Sequence, residues 1–268
     1  MIKLIATDMD GTFLRSDHSM PPEFPELLQT LTKNNIIFSV ASGRPYLTLR
    51  KNFEAYHEDM LFISDNGAHV VYKGEEIAVH LLDNSLVNEL ILQTRQIQNA
   101  YSVVCTTNGA FVESSERAFL DELEKYYVKY TVVDDLTQID ERIIKFTVCD
   151  LNGAEHNSFP VFEPFMERLQ ICVAGYVWVD MMPNNVNKGM AICDIQKHLN
   201  ITFDETMVFG DYLNDVEMMQ HAYYSYAMSN AHPDLIKIAR FQAASNDENG
   251  VVLKIKEMLE NNLLPLDK

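Results

Sequence analysis

The chain has 268 residues, 47% of them hydrophobic and 22% charged, so it can bury a large core or the cores of two modest domains. Its 39 acidic against 21 basic residues give a formal charge of −18, which argues against nucleic acid or an anionic membrane surface as a partner. It has no apolar run of 18 residues and no signal-peptide pattern, and its four cysteines are far apart without a CxxC pair. We therefore expect a cytoplasmic protein with free thiols, and the sequence shows no sign of an obligate protein partner.

Four short runs rich in β-branched or aromatic residues end in polar turns that contain glycine. These runs are predicted strands, and they read "IKLIATDMDGT", "IIFSVASGR", "LFISDNGA" and "TMVFGDYLND". Segments with helical period accompany them: "PEFPELLQTLTKNN", "YLTLRKNFEAY", "KGMAICDIQKHLN" and "NGVVLKIKEMLENNLL". This alternation predicts an α/β fold with a Rossmann-like parallel sheet covered on both faces, in which ligands bind beyond the carboxyl ends of the strands.

The middle of the chain, from about Asn84 to Val186, has a different pattern. Helical stretches are predicted at "LVNELILQTRQIQ", "SERAFLDELEKYY" and "FPVFEPFMERLQ", and strands at "YSVVC", "RIIKFTVCD" and "GYVWVDMM". This order predicts an inserted α+β domain with a meandering sheet, bounded by polar hinges. The predicted domains are therefore a discontinuous core, residues 1–83 and 187–268, and an insert, residues 84–186.

Four loops carry the candidate functional residues. These are Asp8 and Asp10 after the first strand; Ser42, Gly43 and Arg44 after the second; Lys188 at a helix start; and Asp211, Asn214 and Asp215 after a late strand. If these strands are parallel in one sheet, their loops share one edge. Three acids, one lysine, one hydroxyl and a glycine amide would then meet there.

Such a set of groups meets the requirements of phosphoryl transfer. A carboxylate can attack phosphorus and form an aspartyl-phosphate if a cation offsets its repulsion from the phosphate. The carboxylates of Asp8 and Asp211 would together suit Mg²⁺, a hard cation that keeps several waters. Lys188 and the Ser42 and Gly43 donors would hold the nonbridging oxygens during the transfer.

Asp10 lies one residue beyond Asp8, and two neighbouring acids need not both be charged. The acid on the metal is expected to stay ionised, whereas Asp10, with less cation nearby and more burial, is expected to carry a proton. It would give that proton to the leaving alkoxide and later take one from the water that hydrolyses the phosphoenzyme.

These motifs resemble those of a known family. "DMDGT", "ASGRP", "NKG" and "GDYLND" are similar in order and spacing to the four motifs of the haloacid dehalogenase (HAD) superfamily of phosphatases. The large insert resembles a C2B cap, as in the Cof-like sugar phosphatases of subfamily IIB. "SDNGA", "AMSNAHPDLIKIA" and "ASNDENGV" are also similar to that subfamily, and the resemblance covers the whole chain.

The resemblance implies a role for each matching residue. Asp8 would be the nucleophile and a Mg²⁺ ligand, and Asp10 the general acid/base, whose backbone carbonyl also ligates the metal. Asp211 would be the remaining acidic ligand, and Asp215 would orient the metal waters or Lys188. The implied phosphate contacts are Ser42, Gly43, Lys188, Asn214 and the backbone amide of Met9. Arg44 matches a recurrent position, and either contact with substrate or bracing of the loop is compatible with it.

Structural explanations exist for the same residues. The two acids could be turn residues, the segment from Ser42 to Pro45 could start a helix, and the segment from Asp211 to Asp215 could open the next one. In the second case both explanations can hold, because a helix N-terminus itself binds phosphate.

Two other functions use the same residues. A sugar phosphomutase would share the aspartyl-phosphate chemistry, and a noncatalytic phosphometabolite sensor would bind without releasing phosphate. The resemblance favours a phosphatase of small phosphorylated metabolites, with sugar phosphates expected. The sequence does not identify the substrate, the oligomeric state or the residues of the insert that set specificity, for which Trp178, Asp180 and Asn184 are candidates.

Overall fold

The computed structural model describes residues 1–261, so the end of the predicted core and the last residues of the predicted C-terminal helix lie outside the described residues. Within this range the strands are β1 Leu4–Asp8, β2 Ile37–Ala41, β3 Met60–Ser64, β4 His69–Tyr72, β5 Glu75–Val79, β6 Ala100–Thr106, β7 Gly109–Val112, β8 Tyr130–Val132, β9 Ile143–Asp150, β10 Leu169–Val173, β11 Trp178–Pro183, β12 Thr206–Gly210, β13 Tyr224–Met228 and β14 Phe241–Ala243. The helices are α1 Phe24–Lys33, α2 Tyr46–Asn52, α3 Asn84–Thr94, α4 Arg117–Leu123, α5 Phe159–Phe162, α6 Lys188–Leu199, α7 Val216–Gln220, α8 Pro233–Ile238 and α9 Gly250–Glu260. None of these helices is long and apolar enough to cross a membrane.

The larger sheet has eight strands in the order β14-β13-β12-β1-β2-β3-β4-β5. The first six are parallel to one another, and β4 runs antiparallel to β3 at one side. The predicted α/β class with a Rossmann-like parallel sheet is confirmed.

The centre of this sheet explains the position of the first loop. All five residues of β1 are buried, as expected for a central parallel strand that is covered on both faces. Asp8 pairs with Ala41 at the end of β2, and Thr7 pairs with Phe209 near the end of β12. The three strands therefore end at the same level, and the loops that follow them leave from one edge of the sheet.

The smaller sheet has six strands in the order β10-β11-β9-β6-β7-β8, antiparallel except for the pair β7 and β8. The apolar side chains of β9 and β11 pack with those of α3 and α5 in one buried cluster, which includes Phe146, Val148, Met181, Leu90 and Phe162. This is the predicted α+β arrangement, but the prediction of a meandering sheet is wrong, because β9 pairs with β6 and β11 and not with the strands next to it in the chain, and because β7 and β8 are parallel.

The chain divides into two compact units. Among the described residues, the first comprises 1–43, 53–78 and 187–261, and the second comprises 44–52 and 79–186. The predicted division, 1–83 with 187–268 against 84–186, has the same second junction. It differs in that the short α2 and the segment from Val79 to Asp83 belong with the second unit.

One predicted helix needs correction, and one hairpin was not predicted. The helix predicted for "FPVFEPFMERLQ" is wrong beyond its first turn, because α5 ends at Phe162, a 3-10 turn covers Glu163–Phe165, and β10 begins at Leu169. Pro164 has no backbone N–H to continue the helical ladder. The hairpin of β4 and β5 was not predicted, since its turn is formed by Lys73 and Gly74, both with positive φ, without the usual asparagine at the first position.

Candidate active site

The carboxylate of Asp8 and the ammonium of Lys188 form the centre of the site. Asp8 is the last residue of β1 and Lys188 the first residue of α6, and both side chains are buried. Lys188 Nζ donates to Asp8 Oδ1 at 2.5 Å and to Asp215 Oδ1 at 2.7 Å. One ammonium group thus joins an acid near the start of the chain to an acid in its last third.

Asp215 is wholly buried and uses both of its oxygens within the protein. Its Oδ1 accepts from Lys188, and its Oδ2 accepts from the backbone N–H groups of Asp211 at 3.0 Å and Tyr212 at 3.3 Å. A role as a mere helix opener for α7 does not explain these bonds. Asp215 instead holds Lys188 in place and shapes the loop that carries Asp211.

Asp211 follows β12 and approaches the first loop from the other side. The Thr12 hydroxyl donates to Asp211 Oδ1 at 2.9 Å. Gly11 has a φ of +86°, and a Cβ atom on it would lie 2.4 Å from Asp211 Oδ2. Only glycine therefore suits this position, both for the backbone conformation and for the space that the Asp211 carboxylate needs.

The three carboxylates of Asp8, Asp211 and Asp215 offer oxygens that all lie within 4.8 Å of one another. Burial raises the pKa of Asp8 to about 8, against the attraction of Lys188, and the charges of Asp215 and Asp211 act in the same direction as burial. Burial also raises the pKa of Asp211. Burial disfavours the charged form of Lys188, but Asp215 and Asp8 outweigh it and raise the pKa of the ammonium. One fixed positive charge therefore faces three acids.

Asp10 is the less buried of the two neighbouring acids, so the expectation of greater burial at Asp10 is wrong. Its side chain is 46% exposed and lies 3.5 Å from Nδ1 of the exposed His18. The chain turns at Gly11, and this turn directs Asp8 into the sheet end and leaves Asp10 at the surface of the loop. Burial consequently does not account for a proton on Asp10.

Ser42 and Gly43 directly follow β2. Ser42 is buried, its N–H donates to the Ile63 carbonyl at 2.9 Å, and its carbonyl accepts from Asn66 N–H at 3.0 Å. Gly43 has no side chain, and the Asn66 amide lies 3.2 Å from the position of a Cβ atom there. Backbone contacts with the end of β3 thus fix this loop.

Lys188 is positioned by the start of α6. Asn187 caps this helix, since its Oδ1 accepts from Met190 N–H at 2.9 Å. A Cβ atom on Gly189 would lie 2.6 Å from the Glu217 carbonyl, so the glycine of "NKG" allows α7 to approach α6 closely. This approach brings Asp215, the residue before α7, within reach of Lys188.

The other predicted site residues are less closely tied to the cluster. Met9 is buried, and its carbonyl accepts from Leu14 N–H at 2.8 Å, which closes the turn after β1. Asn214 lies in the 3-10 turn Leu213–Asp215 and is exposed. Arg44 belongs to the segment that is grouped with the second unit. Their roles in binding stay predictions.

Two residues near the first loop were missed by the sequence-based reasoning. Thr12 was not named as a site residue, although its hydroxyl donates to Asp211. Asn230, in the segment "SNAHPD", donates from Nδ2 to the Gly11 carbonyl at 2.8 Å and accepts from Asn246 N–H at 3.2 Å. The Thr beside the acids and the repeated asparagines in two late loops were the available signals.

The specificity candidates of the insert have different surroundings. Asp180 is buried, accepts from the Thr147 hydroxyl at 2.6 Å and lies 3.5 Å from Lys145 Nζ. Trp178 is buried, and its indole N–H has no hydrogen-bond partner among residues 1–261. Asn184 is exposed and donates to the Glu167 carbonyl at 2.9 Å.

A protein-family profile described as haloacid dehalogenase-like hydrolase matches residues 5–255. The chain belongs to this family. The predicted resemblance and the predicted enzyme class, a hydrolase of the HAD phosphatase type, are thereby confirmed.

Individual relatives match most or all of the chain. The 5-amino-6-(5-phospho-D-ribitylamino)uracil phosphatase YbjI of Escherichia coli is 29% identical over 273 residues, which cover 100% of this chain and 99% of that protein. The HMP-PP phosphatase of Citrobacter koseri is 28% identical over 88% of this chain and 87% of that protein. The crystal structure of SMU.1108c from Streptococcus mutans has 30% identity and a TM-score of 0.84, and the match covers 97% of this chain and all of that one.

Proposed function

We propose that this HAD-family hydrolase is a Mg²⁺-dependent phosphatase that removes phosphate from small phosphorylated metabolites, with Asp8 as the nucleophile and Asp10 as the general acid/base. The observation that carries the proposal is the buried cluster of Asp8, Asp211 and Asp215 around the Lys188 ammonium. Such a cluster is costly for stability alone, because buried like charges repel one another. Its chemistry suits the transfer of a phosphoryl group to a carboxylate.

Asp8 has the features that a carboxylate nucleophile needs. It lies at the end of a rigid central strand, and its Oδ1 is held by Lys188 at 2.5 Å, so its orientation is fixed before substrate binds. The Lys188 ammonium also offers positive charge next to the attacking group, where the phosphoryl oxygens would lie. Ser42 and Gly43, in the neighbouring loop, would contribute further donors to these oxygens.

The donor set fits a hard divalent cation. The three acids have oxygen atoms within 4.8 Å of one another, and the cluster carries up to three negative charges against the single charge of Lys188. A dication would balance the remainder. Asp8 and Asp211 would hold the ion, with the Asp10 backbone carbonyl, whereas both oxygens of Asp215 are already bonded to Lys188 and to backbone N–H groups. When bound, Mg²⁺ would supply neutralisation of the phosphoryl charge.

Asp10 is proposed to move the protons. It is two residues from Asp8 in the same turn, and its side chain is partly exposed, so it can exchange protons with solvent and reach a leaving group above Asp8. In the first step it would protonate the leaving alkoxide. In the second it would take a proton from the water that attacks the phosphorus of the aspartyl-phosphate.

The substrate is proposed to be a small phosphorylated metabolite, with sugar phosphates as the first class to test. Relatives named for a phosphorylated ribitylamino-uracil and for HMP-PP support small substrates that combine a phosphate with a polyol or a ring. The proposed location of the protein is the cytoplasm. The four cysteines are free thiols, which is the usual state of cysteine in a reducing compartment.

The test is phosphate release from a panel of such metabolites and from p-nitrophenyl phosphate, with and without Mg²⁺. Asp8→Asn should lower kcat by at least about 1000-fold, because an amide cannot attack phosphorus in this way. Asp10→Asn should lower kcat by about 100- to 10,000-fold with little change in binding. Asp204→Asn, which alters an exposed acid before β12, is the matched control and should turn over normally.

The outcomes separate this function from its rivals. Normal turnover by Asp8→Asn would end the nucleophile assignment. Exchange of labelled phosphate between substrates without net release would instead indicate a mutase. Binding of phosphometabolites without any release, with Mg²⁺ present, would indicate a sensor.

A further inference from the structure

The turn after β3, residues Asp65–Gly67, has an unusual backbone. Three successive residues have positive φ, +49° at Asp65, +55° at Asn66 and +104° at Gly67. Only glycine adopts this region without strain, although asparagine and aspartate tolerate it better than other residues do. Two successive strained residues persist only where the surroundings hold them, and such strain is concentrated at functional sites.

One side of this turn contacts the Ser42–Gly43 loop. Asn66 N–H donates to the Ser42 carbonyl at 3.0 Å. The side-chain amide of Asn66 lies against Gly43, 3.2 Å from where a Cβ atom would be. The amide therefore packs on the backbone of the loop.

The other side of the turn contacts the start of α6. A Cβ atom on Gly67 would lie 2.3 Å from the Asn187 carbonyl and 3.3 Å from Lys188 N. Gly67 thus sits directly on the residue that caps α6 and on the backbone of Lys188. The turn lies between the two groups of residues that would bind phosphate from opposite sides, the Ser42–Gly43 loop and the Lys188 helix start.

From these contacts we infer that Asn66 is a positioning residue of the active site. Its left-handed backbone and its side chain set the Ser42–Gly43 donors at a fixed distance from Lys188, so that both can contact one phosphoryl group. This inference rests on the proposed phosphatase function. It adds a residue that acts through the Ser42–Gly43 loop and not through contact with the metal or the nucleophile.

Substitution by glycine separates the side chain from the backbone. Asn66→Gly keeps the left-handed conformation and even relieves its strain, so the melting temperature should be unchanged or higher. Loss of the packing on Gly43 should nevertheless lower kcat/KM by about 10- to 100-fold, since a misplaced binding group costs up to this much. Asn66→Ala should show the same loss of kcat/KM together with a lower melting temperature, because alanine is strained at this φ.

The matched control is Asn200→Gly. Asn200 also has a left-handed backbone, with a φ of 58°, but it ends α6 at the opposite end from Lys188. This variant should keep the wild-type kcat/KM and the wild-type melting temperature or a slightly higher one.

A binding measurement makes the test independent of turnover. Inorganic phosphate with Mg²⁺ should raise the melting temperature of the wild-type protein and of Asn200→Gly, and should raise that of Asn66→Gly clearly less. If Asn66→Gly retains the wild-type kcat/KM and the wild-type protection by phosphate, the inference is wrong. If the wild type releases no phosphate from any substrate, the proposed function is wrong, and the protection experiment still decides the role of Asn66.

Discussion

The substitution Lys188→Met tests the electrostatics of the buried cluster most directly. Methionine has a similar length and fills a similar space, but it removes the ammonium that donates to Asp8 and Asp215. The side chain of Lys188 is 1% exposed and that of Asp215 is 0% exposed, so water cannot replace the lost bonds. The variant therefore leaves buried carboxylates without their cation.

The structure allows the size of this effect to be worked out. Breaking a buried ion pair by removing one partner typically costs about 3–5 kcal/mol. The raised pKa of Asp8, about 8, lets that acid take up a proton near neutral pH, which favours the lower end of the range. In a chain of this size, a loss of about 3–5 kcal/mol corresponds to a decrease of roughly 6–20 °C in melting temperature.

The assay is thermal and urea unfolding followed by circular dichroism at pH 7 with EDTA present. Lys256→Met, at an exposed position of α9, is the control and should change stability by less than about 0.5 kcal/mol. The deficit of Lys188→Met should shrink as the pH falls, because protonation removes the unpaired negative charges. Adding Asp215→Asn to Lys188→Met should restore part of the stability, because one of those charges is then absent.

A Lys188→Met protein that unfolds within about 1 kcal/mol of the wild type would refute this reasoning. The same holds for a double variant that is less stable than Lys188→Met alone. Either result would mean that the Lys188 bonds to Asp8 and Asp215 do not offset an otherwise unfavourable cluster of charges.

Two further predictions concern packing and pH. Gly210→Ala should lower the free energy of unfolding by about 1–3 kcal/mol, because the added methyl group would lie 2.6 Å from Asp215 Oδ2. Urea unfolding would detect this loss. An unchanged midpoint of the urea transition would show instead that Asp215 can shift. Burial raises the pKa of Cys149 and of Cys172 to about 12, whereas both thiols ionise near pH 9 in the unfolded chain, so stability should decrease as the pH rises from 9 towards 12. A Cys149→Ala/Cys172→Ala variant should lose less stability than the wild type over that interval, and parallel curves for the two proteins would contradict the prediction.

The order of apolar and polar segments was sufficient to predict the α/β class of the core and the α+β character of the insert. β1 is recognisable because it begins with Leu4, Ile5 and Ala6, which are buried as expected for a central parallel strand. Boundaries and short elements were less predictable. The segment that follows α5 has helical spacing, but Pro164 and the pairing of Leu169 with Pro183 across the sheet make its end a strand.

The candidate site was likewise predictable from the sequence only in part. The sequence alone determined which chemical groups follow β1 and β12, and Asp8, Asp211 and Asp215 lie together because parallel strands end at one edge of a sheet. Lys188 joins them from the start of α6, which follows β11 of the smaller sheet. Only the tertiary structure decided which of the two neighbouring acids is buried. That depends on the turn at Gly11 and on the approach of Asp211 from β12, a strand about 200 residues later, and no local pattern encodes such a contact.

Asn66 illustrates the same limit. Its segment "SDNGA" was recognised by resemblance, but its place between Gly43 and the start of α6 results from contacts among three distant parts of the chain. A sequence specifies the chemistry of each loop locally. The distances at which those loops face one another come from the packing of the whole first unit, and these distances decide how a phosphoryl group could be held.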